Sequence, residues 1–255
     1  MYLNSTRLCL TALLTAAICF AAEPQGSADK KGAVIAAPGA SASAIQIAKP
    51  ASETELLLPK MDSSQWEAAN GLTTFWEKDP FRGRVARLDS RVEEKQAMAW
   101  EAVWRKNPRA KPPKPVFAAP PYYSSVGGNH GVILDSVLFA VEPGQDYKLT
   151  AEVKGTAGAY VWVKGFRKHP KRDMLADSYQ TRLDATRLDA NDWRTIAIGL
   201  NPTARAPHTE FMKVRLYAFW PVGITYFANV RLEKITPEEM AALVEERNNA
   251  PKVDE

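Results

Sequence analysis

The chain has 255 residues, with 33 Lys+Arg against 29 Asp+Glu for a formal net charge of +4, and is 45% hydrophobic, 9% aromatic and 24% charged. These proportions exclude a wholly disordered chain, a collagen-like fibre and a multi-span membrane protein, because the one long apolar run lies at the extreme N-terminus. The excess of base is small, so nucleic acid is not an expected partner.

Residues 1–21 read as a secretory signal peptide. Arg7 gives a positive start, Leu8 to Phe20 an apolar stretch, and Ala21 and Ala22 small residues suited to cleavage after Ala21. A retained transmembrane helix is the weaker reading, because the stretch is shorter than the roughly 20 apolar residues a span needs. A lipoprotein anchor on Cys19 is weaker still, because Ile18 precedes it. The two cysteines, Cys9 and Cys19, both fall inside this segment, so the mature chain can form no disulfide. A bacterial product that is secreted, or held in the periplasm or cell envelope without an integral membrane segment, is therefore expected.

Residues 22–54 are rich in Ala, Ser, Gly and Pro with no aromatic residue, and are expected to form a flexible linker. Residues 55–236 hold a series of short β-type runs separated by turn residues. They are Leu56 to Leu58, Gly83 to Leu88, Val132 to Val141, Tyr147 to Val153, Tyr160 to Phe166, Trp193 to Leu200, Phe211 to Trp220 and Gly223 to Ile235. The clearest alternation puts Tyr147, Leu149, Ala151 and Val153 on one face and Lys148, Thr150 and Glu152 on the other. Eight such runs predict an all-β fold, a two-sheet antiparallel β-sandwich.

Residues 91–121 interrupt that rhythm. Val92 to Lys106 places Val92, Gln96, Ala99, Trp100, Val103 and Trp104 on one helical stripe, followed by the proline-rich arm Asn107 to Pro115. The tryptophans are expected to pack this inserted helix onto the sandwich, the alternative being a ligand platform. Thr236-Pro237-Glu238-Glu239 starts a short C-terminal helix, which leads into a polar tail within residues 237–255.

The succession of LLLP, Trp66 in SSQW, GRVARLDS, PGQDYKLTAEVKG, AYVWVKGF, DWRTIAIGLNP and VRLYAFWPVGITYFANVRLEKI resembles the galactose-binding-like jelly roll of carbohydrate-binding modules, in particular families 4 and 9. The resemblance spans roughly residues 55–236. It implies a jelly-roll β-sandwich and, by analogy, sugar recognition without catalysis. This chain departs from the family in having Ala228 and Asn229 before Val230, where members commonly carry two aspartates that help to bind calcium. No metal and no cofactor is therefore expected.

Strand alternation nominates a ligand-facing surface. With Val161 and Val163 turned inward, Tyr160, Trp162 and Lys164 face out; with Val214 and Leu216 inward, Arg215 and Tyr217 face out. Rings cover the C–H faces of pyranoses, while Arg and Lys donate to hydroxyl or acidic groups. The expected ligand is a poly- or oligosaccharide, anionic ones included, and the Arg167–Arg172 run RKHPKR reads as either a solvated hairpin loop or a contact for an anionic polymer or lipid headgroup. The rival expectation is a structural or protein-interaction β-sandwich of the cell envelope that has no glycan ligand and makes its contacts through the arm and the Trp100/Trp104 helix.

Catalysis finds little support. His130, His169 and His208 stand apart, and HExxH, GxSxG and GxxxxGK[ST] are missing. Ser124 or Ser125 with His130 and Asp135 can be written as a triad, but Gly127 to Gly131 reads more simply as a turn between strands. A third expectation, a small hydrolase, requires a pocket with convergent, perturbed carboxyl groups.

Overall fold

A computed structural model describes residue 61, residues 64–185 and residues 188–249 of the chain. The expected signal peptide, the linker, the run Leu56 to Leu58 and the last six residues of the tail lie outside these. The described residues form two antiparallel sheets. The first has the order β1 (Thr74–Asp79), β2 (Gly83–Asp89), β10 (Ile224–Ile235), β5 (Asp146–Gly155) and β8 (Arg194–Leu200). The second has the order β3 (Val132–Asp135), β9 (Phe211–Ala218), β6 (Ala159–Lys168) and β7 (Leu175–Ala185), with β4 (Phe139–Ala140) also paired to β9. Helices α1 (Glu94–Lys106), α2 (Val126–Asn129), α3 (Pro202–Arg205) and α4 (Pro237–Asn249) complete the elements.

The sheets face each other as a β-sandwich, because one side of each is apolar. Tyr147, Leu149, Ala151 and Val153 of β5 are fully buried and meet Val161, Val163, Val214 and Leu216 of the other sheet in a single core. Each large aliphatic chain so buried contributes about 1.5–3 kcal/mol. The one phenol among them is satisfied: the Tyr147 hydroxyl accepts from the Glu142 backbone N–H at 3.0 Å.

Several elements differ from the sequence expectation. β1 and β7 were not expected, because TFWEKD and LADSYQTRLDA carry polar residues at most positions; their ladders to β2 and β6 supply the pairing that local pattern does not signal. The run from Val132 to Val141 divides into β3 and β4. Between them Ser136 pairs through its backbone N–H to the Val214 carbonyl at 2.8 Å, while its hydroxyl accepts from the Val214 N–H at 2.9 Å. Gly127 to Gly131 is not a simple turn, since Val126–Asn129 forms α2, capped by Ser125.

On α1 the buried side is Ala97 and Trp100, with Trp104 partly buried against the core, whereas Ala99 and Val103 of the expected stripe are exposed. The Trp100 indole donates to the Asn70 carbonyl at 2.7 Å. The proline arm lies along the helix. Gln96 clamps it by accepting from the Val116 N–H at 2.7 Å and donating to the Lys114 carbonyl at 2.9 Å. This strapping sets α1 and α2 beside β3, at one edge of the second sheet.

Candidate functional site

The outer face of the second sheet gathers the nominated residues. In the β6–β9 register Tyr160 lies opposite Tyr217, Trp162 opposite Arg215 and Lys164 opposite Lys213. Directly opposed residues of an antiparallel pair point to the same face, so Tyr160, Trp162, Lys164, Arg215 and Tyr217 form one patch, each half-exposed. On the other flank, β7 sets Arg182 opposite Trp162 and Gln180 opposite Lys164. Four of the five, all but Tyr160, line a hollow of about 260 Å³ together with His130, Ile133 and Gln180.

The rings are locked to one another. Tyr160 and Tyr217 have centroids 5.9 Å apart at 43°, and Tyr217 stacks on Phe219 at 5.7 Å and 15°. The Arg182 guanidinium lies 5.2 Å from the Tyr160 ring and 5.1 Å from the Trp162 ring. Tyr217 is further held by its hydroxyl, which donates to the His130 carbonyl at 3.0 Å. Burial, followed by the neighbouring Tyr160, raises the Tyr217 pKa, so the phenol stays a donor across the neutral range.

Beneath the patch lies an ion network that local alternation did not reveal. Asp135 of β3 is buried and receives Arg215 Nε at 2.7 Å, Arg215 Nη2 at 2.8 Å and Lys213 Nζ at 2.5 Å. Burial disfavours the Asp135 carboxylate, but the Arg215 hydrogen bonds and the Lys213 charge outweigh it and hold the pKa below the usual aspartate range. Lys164 donates to Gln180 at 3.1 Å and lies 3.7 Å from the Asp177 carboxylate.

A second cleft, also about 260 Å³, adjoins the first and shares His130, Ile133 and Arg215 with it. Its far wall is α1, through Met98, Glu101 and Arg105, and its floor includes Glu67 and Asn70. Desolvation, followed by the Asp135 charge, raises the Glu67 carboxyl above the ordinary glutamate range. Gln180, Arg182, Lys213 and Glu67 are members of this surface that sequence reading missed, while Asp135, written there into a triad, is instead the partner of Arg215 and Lys213. Lys213 follows from the alternation already read along β9, and Gln180 and Arg182 follow from it once β7 is recognised as a strand.

The serine triad written from the sequence does not form. Ser125 donates to the Tyr122 carbonyl at 2.7 Å and caps α2, His130 Nε2 lies 2.6 Å from Glu94, and Asp135 is held by Arg215 and Lys213. Among the described residues no group of three His, Cys, Asp or Glu side chains is placed to hold a metal ion, and no helix is long and apolar enough to cross a membrane.

No known family pattern and no curated protein matches the chain. The solved structures that it is similar to include carbohydrate-binding modules. One, described as "CBM4 structure and function", is 15% identical over 40% of this chain and 61% of its own length, with a TM-score of 0.29. A "Family 16 Carbohydrate Binding Module-2" is 14% identical over 70% of this chain and 99% of its own, with a TM-score of 0.40. The CBM22-1 xylan-binding domain of Paenibacillus barcinonensis Xyn10C is 10% identical over 73% and 98%, with a TM-score of 0.38.

Proposed function

We propose that the protein binds a poly- or oligosaccharide, without cleaving it, on the outer face of its second sheet. The observation that carries this reading is the half-exposed Trp162 in a hollow between Lys164, Gln180, Arg215 and Tyr217. An indole there offers apolar surface to the C–H side of a pyranose, while the amide, the ammonium, the guanidinium and the phenol offer donors and acceptors to its hydroxyls. The rings and cations are pre-positioned by the Asp135 and Arg182 contacts, which lowers the ordering cost of binding. The reading includes export to the bacterial envelope or exterior, with residues 1–21 as signal and 22–54 as tether.

Affinity electrophoresis and a glycan array of the mature protein test this. Retardation by a glycan that is lost in Trp162→Ala, with the variant folded, supports it; no binding to any glycan by the folded protein overturns it.

A second reading, a contact domain for an envelope protein, is favoured by one observation. Val103 of α1, and Val116, Phe117 and Tyr123 in the segment after the arm, expose large hydrophobic side chains. It predicts that the folded protein binds no glycan and that Phe117→Ser abolishes capture of the envelope partner.

A further inference from the structure

The outer face of the second sheet does not end at the hollow. Along β6 the outward positions continue from Trp162 through Lys164 and Phe166 to Lys168, and β9 adds Lys213, whose ammonium lies 5.6 Å from the Phe166 ring. β6 pairs with β9 only as far as Phe166, whereas it stays paired with β7 to Lys168, so the β6–β7 hairpin projects past β9. Its turn is shaped by hydrogen bonds from His169 N–H to the Met174 carbonyl at 2.9 Å and from Lys171 N–H to His169 Nδ1 at 3.1 Å.

That hairpin carries Arg167, Lys168, Lys171 and Arg172, all exposed, and none makes an ion pair among the described residues. The cations in and beside the hollow are different: Arg215 and Lys213 share the Asp135 carboxylate, and Lys164 lies by Asp177. Among the described residues of this face, the cations without an ion-pair partner are therefore densest at the hairpin, four of them against Asp173, the one acid in the turn. Six residues of strand put it about 20 Å from Trp162, a distance that a chain of several sugars can bridge and a single sugar cannot.

We infer that the ligand is an anionic polysaccharide, bearing carboxylate or sulfate groups, which lies along β6 with one stretch on Trp162 and the next on the basic hairpin. This rests on the sugar-binding reading above and narrows its ligand class. Ring stacking at the hollow is insensitive to salt. Contacts at the hairpin join exposed charges and weaken as the Debye length shortens.

The test compares three forms of the mature protein on polygalacturonate, dextran sulfate and neutral hydroxyethyl cellulose at low and high salt. These are the native chain, a hairpin variant (Arg167→Gln, Lys168→Gln, Lys171→Gln, Arg172→Gln) and a charge-matched control in α1 and the arm (Lys106→Gln, Arg109→Gln, Lys111→Gln, Lys114→Gln). The inference expects tighter, salt-sensitive binding to an anionic polymer, weakened about tenfold or more in the hairpin variant and little in the control. Equal losses in both variants would show a response to net charge alone and overturn it. Binding confined to neutral glycans, unchanged in the hairpin variant, overturns the inference and leaves the sugar-binding reading intact. No glycan binding at all refutes both; salt-sensitive binding to phosphatidylglycerol vesicles, lost in the hairpin variant, would then assign the hairpin to a lipid surface.

Discussion

Arg215 and Asp135 face each other across the β9–β3 ladder and share two parallel hydrogen bonds, Nε to Oδ1 at 2.7 Å and Nη2 to Oδ2 at 2.8 Å. The guanidinium is thereby fixed in plane beside Trp162, with its charge largely balanced. It serves the hollow as an oriented set of N–H donors more than as a free cation.

Asp135→Asn breaks this arrangement and leaves Arg215 and Lys213 half-buried without their carboxylate. Loss of one partner of a largely buried pair costs about 3 kcal/mol, and equilibrium urea unfolding at neutral pH reads it. The acid dependence follows from the lowered Asp135 pKa. The unfolded state holds this proton more tightly, so the stabilisation is fully present above about pH 4 and is lost as pH falls through the lower folded value. The native chain should lose stability in that acid range more steeply than Asp135→Asn.

Glu67 has the opposite sign. Its pKa is raised in the folded protein, so its contribution is present below the ordinary glutamate value of about 4.3 and is lost as pH rises through the raised folded value. Glu67→Gln removes a desolvated charge and should be more stable relative to the native chain at pH 7 than at pH 4. Unfolding midpoints at the two pH values check this.

Gly131 sets the position of Tyr217. Its φ is +72°, and a Cβ there would lie 2.4 Å from Tyr217 Cε2. Gly131→Ala therefore combines a strained backbone with displacement of the ring, and should cost about 1–3 kcal/mol. Glycan affinity should fall along with stability, which isothermal titration and urea unfolding measure on the same sample.

Two tryptophans separate fold from site. Trp100→Ala removes a buried side chain and its bond to the Asn70 carbonyl, with an expected loss of about 3–5 kcal/mol. Trp162→Ala removes a half-exposed ring and should change stability far less while abolishing glycan retardation. A Trp162→Ala protein that is as unstable as Trp100→Ala would place that ring in the structural frame instead.

Alternation along single strands was enough to read the core face of β5 and the common outward face of Tyr160, Trp162, Lys164, Arg215 and Tyr217, because side-chain direction in a strand has period two whatever it pairs with. The arm and the inserted helix were legible from proline spacing and from the tryptophans. β1 and β7 were not, since a sheet ladder can hold a polar strand whose local composition reads as loop. Nor could sequence show that Asp135 neutralises a residue 80 positions away, that Gly131 makes room for Tyr217, or that Arg182 reaches both Tyr160 and Trp162. Those contacts depend on strand order and register, which long-range packing sets and local periodicity leaves open. The sequence alone thus determined which side chains leave the core, while the tertiary structure decided which of them meet, because meeting requires strands distant in the chain to become neighbours in the sheet.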